Sequence, residues 1–156
     1  LYDNSNIIYI GRKSNAGLSG YVGQWIHVVM TYDGSSASSG IKLHLNGSLI
    51  ESSDDNAGSY TAMHNSTQPL TIGQFNNSAY ANGHIDEVAI FNSELSASDV
   101  TAIYNGGVPN DLSSLSPLSW WRCGDGDTSP TLTDNGSGGN NGTMTNFSTF
   151  STDVPT

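Results

Sequence analysis

Apolar positions along the chain come in short runs separated by glycine-, serine- and asparagine-rich stretches. Residues 7–10 form the first run. After a Gly/Ser stretch comes 24–33, where Ile26, Val28, Met30 and Tyr32 alternate with Trp25, His27, Val29 and Thr31. Successive side chains of a strand point to opposite faces, so this segment carries largely apolar residues on both faces and is expected at the centre of a sheet. Residues 42–45 and 48–50 flank Asn46-Gly47, the pair that best accepts the two positive φ angles of a type I′ turn, and so predict a hairpin. Residues 52–68 and 74–82 read as polar loops on either side of a strand at 70–73, and 83–91 alternates as one long strand. Asn-Gly recurs at 82–83, 105–106, 135–136 and 141–142, each a signal for a tight turn.

Helical spacing occurs in one place. Ser96 followed by Asp99 resembles a capping box, Val100, Ile103 and Tyr104 can share one face, and Gly106 suits a left-handed C-terminal cap. Beyond it, 118–122 is an apolar run with Trp120 and Trp121 adjacent. It is followed by acidic, glycine-rich loops at 125–127 and 134–142 and a last strand candidate at 143–147. The pattern predicts an all-β fold, a two-sheet antiparallel jelly-roll sandwich with one short helix at 96–105, as a single domain over 1–156. Residues 7–106 supply fewer strands than the ~8 of a jelly roll. Residues 118–147 are therefore expected to fold back into the same sandwich, with Trp120 or Trp121 entering the core.

Charge narrows the partners. Fourteen acidic residues against four Lys and Arg give a net charge of −10, which repels phosphate backbones and excludes a counterion-releasing nucleic-acid groove. No run approaches the ~18 apolar residues of a membrane span. The one cysteine, Cys123, lies in an apolar run and reads as an inert buried thiol. The sequence does not begin with Met and shows no signal peptide, so either a leader has been removed or the chain is a piece of a longer protein.

Three stretches carry a family resemblance. The segment Gly23-Gln24-Trp25-Ile26-His27-Val28-Val29-Met30-Thr31-Tyr32-Asp33-Gly34 resembles the "G-x-W-H-H-V-A-x-T-Y-D-G" signature of the laminin-G-like superfamily, with Ile26 where His is common. Leu43-His44-Leu45-Asn46-Gly47 is similar to its "L-Y-V-N-G" hairpin. Gly83-His84-Ile85-Asp86-Glu87-Val88-Ala89-Ile90-Phe91, with Leu95-Ser96 after it, is similar to "G-x-I-D-E-V-x-I-Y…L-S". The resemblance implies a concanavalin-A-like jelly roll, used by recognition and adhesion modules, by pentraxins and by some glycosidases. The segment from Ser119 to Met144 resembles the stretch that normally opens such a domain, yet here it comes last, as in a circular permutation or the start of a following repeat. The family's early strands have no counterpart before Ile7, which also suggests a piece of a larger extracellular or virion-surface protein.

Candidate chemistry follows from loop composition. Aromatic faces stack on sugar rings while amides bond hydroxyls. This makes Tyr60, His64, Gln74, Asn76, Asn77 and Tyr80 the candidate glycan-binding residues. Asp125, Asp127, Asp134 and Asn140 offer the hard oxygen ligands that Ca²⁺ selects, although Asp and Asn also close turns by bonding their own backbone. Asp86 and Glu87 are the most conspicuous acids of a strand. As neighbours on an extended strand they would point to opposite faces and could not form a paired-carboxylate site. The expected function is a non-catalytic carbohydrate-binding or adhesion module. The alternatives are a structural module that contacts neighbouring protein subunits and, third, a glycoside hydrolase.

Overall fold

The computed structural model describes residues 1–3, 8–75 and 78–156. They fold into two compact units, each assembled from separate stretches of chain: Leu1–Thr67 with Ser93–Asn110, and Gln68–Asn92 with Asp111–Thr156.

In the first unit, β1 (Arg12–Ser14) pairs antiparallel with β5 (Ser52–Asp54), while β2 (Val28–Tyr32), β3 (Ile41–Leu45) and β4 (Ser48–Leu49) form a three-stranded antiparallel sheet in that order. The expected hairpin is present. Asn46 and Gly47 have φ of 49° and 76°, the two positive values that a type I′ turn requires. Asn46 also ties the turn to the start of β2, because its side-chain Oδ1 accepts from the His27 amide at 2.9 Å and its own amide donates to the His27 carbonyl at 2.8 Å.

The helix α1 (Ala97–Tyr104) starts at the capping box read from the sequence. Ser96 Oγ accepts from the Asp99 amide, and the Asp99 carboxylate accepts from the Ser96 amide. Its left-handed cap falls on Asn105 (φ 45°), one residue before the glycine expected there. Val100 is fully buried and, with Ile10 and Ile41, makes up the buried apolar core of this unit. Gly47 has a second reason to be glycine, since a Cβ there would lie 2.8 Å from the Tyr104 ring. That ring stacks on His27 with centroids 5.9 Å apart, so the turn, the strand entry and the helix end are fixed together.

In the second unit, β6 (Gln74–Phe75) and β7 (Ala79–Tyr80) form a short ribbon, β8 (Val88–Ile90) pairs with β9 (Ser119–Trp121), and β10 (Thr131–Leu132) pairs with β11 (Gly142–Thr143), all antiparallel. The C-terminal tryptophan strand thus pairs with β8, within the motif-bearing stretch. Trp120 and Trp121 are both buried and form the core with Leu112.

Several sequence expectations are corrected. The strands are all-β in kind, but the described residues place them in one three-stranded and four two-stranded sheets rather than in two continuous ones. The segment 83–91 is a strand only at Val88–Ile90, because Glu87 takes a left-handed φ of 51° that breaks the extended backbone. Residues 70–73 are not a strand, and 74–82, read as a loop, contains β6 and β7. The run at 143–147 shortens to β11, and β1 arises where only a Gly/Ser stretch was read. Ile7 lies outside the described residues; from the rest of that run, Tyr9 bridges to Tyr2 and Ala57. Finally, β2 is an edge of its sheet rather than a centre, and Val28 and Met30, which share one of its faces, are exposed.

Candidate functional site

The glycan candidates fall in both units. Tyr60 and His64 belong to the first. Tyr60 is half-buried, and burial together with the nearby Tyr32 and Asp3 holds its phenol above the ordinary tyrosine value. The loop around it is tied down, with the Thr61 amide donating to Asp3 Oδ2 at 3.0 Å and the His64 amide to the Tyr2 carbonyl at 2.8 Å. Tyr60 is therefore a half-buried residue of a tied-down loop, whereas the His64 side chain is exposed. Gln74 and Tyr80 belong to the second unit, and Asn76 and Asn77 lie outside the described residues.

The β6–β7 ribbon organises Gln74 and Tyr80. Its register sets Gln74 opposite Tyr80 and Phe75 opposite Ala79. Directly paired residues share a face, so the amide of Gln74 and the ring of Tyr80 stand on one side of the ribbon and Phe75 on the other. Both rings are strongly exposed, Tyr80 at 68% and Phe75 at 76%. An exposed ring with an amide beside it is the smallest arrangement that can stack on a sugar and orient its hydroxyls.

The acidic loops use their carboxylates on backbone. Asp134 Oδ1 accepts from the amides of Trp120 and Gly136, both at 2.8 Å, and its Oδ2 accepts from the Asn140 amide at 2.7 Å. Asp127 accepts from the Gly124 amide at 3.0 Å and the Thr133 amide at 2.7 Å. Asp125 pairs with Arg122 at 2.5 Å, and Asn140 donates its amide side chain to Ser119 Oγ at 2.9 Å. A calcium site draws ~6–8 oxygens onto one point. Among the described residues no three His, Cys, Asp or Glu side chains are grouped to hold a metal ion. This donor set is spent on amide capping and is not drawn together as a calcium cage requires.

Glu87 meets the same tryptophan strand, with Asp86 beside it closing the turn. The left-handed turn at Glu87 removes the alternation that would have separated them, and Asp86 Oδ1 accepts from the Glu87 amide at 2.9 Å. Glu87 has both oxygens engaged, Oε2 by Trp120 Nε1 at 2.6 Å and Oε1 by Arg122 Nε at 3.2 Å. The Arg122 guanidinium also sits 5.3 Å from the centre of the Trp120 ring. Burial raises both carboxyls above their ordinary values, with Arg122 pulling back toward them. Burial and the nearby Asp86 push the Cys123 thiol up to about 11, so at neutral pH it is a thiol and no nucleophile. The partners Trp120 and Arg122 were not foreseen as polar contacts of Glu87; only the strand pairing reveals them.

These shifts set opposite pH responses in the two units. In the first, burial holds His27 and His44 below the ordinary histidine value. The unfolded chain then binds more protons as pH falls through about 6.5, and stability is lost. In the second, the raised Asp86 and Glu87 carboxyls take up protons in the folded form first, so stability rises as pH falls from neutral toward about 4. Asp134 reverses that gain at lower pH. Burial alone would raise its carboxyl, but the amides of Trp120, Gly136 and Asn140 and the Ser119 hydroxyl together hold it below the ordinary aspartate value. Its contribution is lost as pH falls through that depressed value. Amide hydrogen exchange between about pH 7 and pH 5, corrected for intrinsic rate, should show protection falling at Val29 and Thr31 and rising at Trp120 and Trp121. Parallel changes in both units would contradict these assignments.

No helix of the described residues is long and apolar enough to cross a membrane. No curated protein and no solved structure matches the chain. A laminin-G family model, described as the concanavalin A-like lectin/glucanases superfamily, matches residues 3–101. That span holds the Trp25–Asp33 motif, the Asn46-Gly47 hairpin, the Asp86-Glu87 turn and most of the capped helix. The chain belongs to the concanavalin A-like lectin/glucanases superfamily, as a laminin-G-like member.

Proposed function

We propose that the chain is a non-catalytic recognition module that binds neutral glycans through the β6–β7 ribbon. The single observation that carries this reading is the exposed Tyr80 ring with Gln74 beside it on the same face. Family membership supports a lectin or adhesion-type module in general. The net charge of −10 favours neutral sugars over sulfated or sialylated ones, which it would repel. The non-catalytic reading draws on Glu87, whose two oxygens are held by Trp120 and Arg122, and on Asp86, which closes its own turn. In the same reading the strands are parts of the family's two-sheet jelly roll, carried by a larger extracellular or virion-surface protein.

A second reading has its own observation. Val28 and Met30 are exposed on the face of β2 that also bears the half-buried Leu43 and Leu45 of β3, an apolar surface suited to a neighbouring protein domain or subunit. The two readings separate on a neutral-glycan array. Binding is expected for the wild type, and Tyr80→Ala should weaken it roughly tenfold, about 1.4 kcal/mol, with the melting temperature unchanged because the ring is exposed. Silence of the wild type on the array would favour the structural role. Release of reducing ends would instead establish a hydrolase.

A further inference from the structure

Asn-Gly occurs at 46–47, 82–83, 105–106, 135–136 and 141–142. Each pair holds the reactants of a rearrangement that needs only water. The glycine amide nitrogen, once its proton passes to solvent base, attacks the Asn side-chain carbonyl carbon Cγ. The N–Cγ bond forms, the Cγ–Nδ2 bond breaks and ammonia leaves, which closes a five-membered succinimide. Water then opens the ring at one of its two carbonyls. Opening at Cγ gives aspartate, and opening at the backbone carbonyl gives isoaspartate, in which the chain continues through the former side chain. Glycine favours the attack because it has no Cβ beside the nitrogen and the widest choice of backbone angles. Ring closure also requires an Asn side chain free to turn and a glycine amide free of other bonds.

At four of the pairs the fold withholds one of these freedoms. Asn46 Oδ1 accepts from the His27 amide at 2.9 Å. Asn105 caps α1, and its Nδ2 donates to the Val108 carbonyl at 3.3 Å. Asn135 Nδ2 donates to the Trp120 and Thr133 carbonyls at 3.4 and 3.3 Å, and the attacking group itself, the Gly136 amide, is taken by Asp134 Oδ1 at 2.8 Å. Asn141 Oδ1 accepts from the Asp134 amide at 2.9 Å, and Gly142 is paired with Leu132 in the β10–β11 ladder.

Asn82-Gly83 is under none of these restraints. Both residues are exposed, in a bend just past β7, and the last backbone bond before them joins the Ala81 amide to the Gly73 carbonyl at 2.9 Å. Among the described residues neither the Asn82 side chain nor the Gly83 amide has a hydrogen-bond partner. A Cβ added to Gly83 would meet nothing within 4 Å, so the bend has room to rearrange. We propose that Asn82 is a modification site, the position at which the folded chain first deamidates, through a succinimide with Gly83, to isoaspartate and aspartate. The fold thus directs to one place a reaction that the sequence offers at several. Each conversion adds one negative charge to a net charge already at −10, and isoaspartate inserts a methylene into the backbone directly beyond the β6–β7 ribbon. Nothing in this assignment depends on what the ribbon binds.

The test incubates the full chain in mildly alkaline buffer, with and without urea, and follows each Asn-Gly pair by peptide mapping and mass spectrometry that separates isoaspartate from aspartate. In the folded protein Asn82 should convert first, with Asn135 and Asn141 roughly tenfold slower, because their bonds must open before the ring can close. In urea the spread among the pairs should collapse. Gly83→Ala should slow conversion at Asn82 several-fold without changing the melting temperature, since the added Cβ has open space and no left-handed φ to strain. The assignment is overturned if another pair converts as fast as Asn82 in the folded chain, or if the same ranking persists in urea, which would make sequence rather than fold the selector. It is equally overturned if Gly83→Ala leaves the rate unchanged, or if aspartate forms without isoaspartate, which would exclude the succinimide.

Discussion

Replacing Asp134 with alanine should remove about 3–5 kcal/mol of stability, a large share of what a domain of this size holds in total. Asp134 is buried, and its carboxylate is the common acceptor for the backbone amides of Trp120, Gly136 and Asn140. Its own amide donates to Asn141 Oδ1 at 2.9 Å, closing the loop on itself. Alanine would strand three amide donors, that of Trp120 buried and those of Gly136 and Asn140 part-buried, at about 1–3 kcal/mol for a buried one left unpaired. The damage would reach the core, because the Trp120 amide lies in β9, and Trp121 anchors the far side of the same loop by donating Nε1 to the Asn140 carbonyl at 2.9 Å. Asp134→Asn keeps the shape but turns an NH₂ toward amide donors and discards the charge, so it should cost about 2 kcal/mol. Urea unfolding measures both, as shifts of the midpoint at constant slope. An alanine variant within about 1 kcal/mol of wild type would refute the idea of a single acceptor organising this loop.

What the sequence disclosed, and what it concealed, follows from how local each cause is. The hairpin at Asn46-Gly47 and the box at Ser96 and Asp99 are written in neighbouring residues, and both formed as read. The burial of Trp120 and Trp121 was legible too, since two adjacent indoles in an apolar run have few alternatives to a core. Glu87 was different. In an alternating run it reads as extended, and its left-handed φ becomes intelligible only through the bonds to Trp120 and Arg122, more than thirty residues away along the chain. The β6–β7 ribbon was hidden by its polar composition, although an aromatic on either side of an Asn-Asn pair was an available sign.

The acidic loops show the same limit from the chemical side. Aspartates among glycines suit a cation and suit amide capping equally well, and composition does not choose between them. Bond geometry does, through three amides converging on Asp134 and two on Asp127. That Thr31 Oγ1 and His44 Nδ1 are buried without a hydrogen bond is likewise a property of packing that no pattern along the strand can express.

The glycines of the same loop follow from that packing and give the second large effect. Residues 135–138 run along 117–120 as a backbone-bonded pair: the Asn135 amide donates to the Trp120 carbonyl at 2.7 Å, the Ser137 amide to Pro117 at 3.0 Å and the Gly138 amide to Leu118 at 2.7 Å. A Cβ on Gly136 would stand 2.6 Å from the Ser119 Cα and 2.7 Å from the Leu118 carbonyl oxygen. Both are backbone atoms of the tryptophan strand or the residue leading into it, so no side chain can rotate to make room, and the loop must lift away from Asp134. Gly136 has no positive φ, so its requirement is space alone. Gly139 is the opposite case, with a φ of 63° and nothing within 4 Å of an added Cβ. Gly139→Ala should therefore cost only the conformational strain of about 1–2 kcal/mol. Gly136→Ala should cost about 3 kcal/mol or more, as overpacking that also breaks acceptor bonds. Loss of the near-ultraviolet circular dichroism of the buried indoles in Gly136→Ala, but not in Gly139→Ala, would show that the loop is pressed onto the tryptophan strand. Equal behaviour of the two variants would show that it is not.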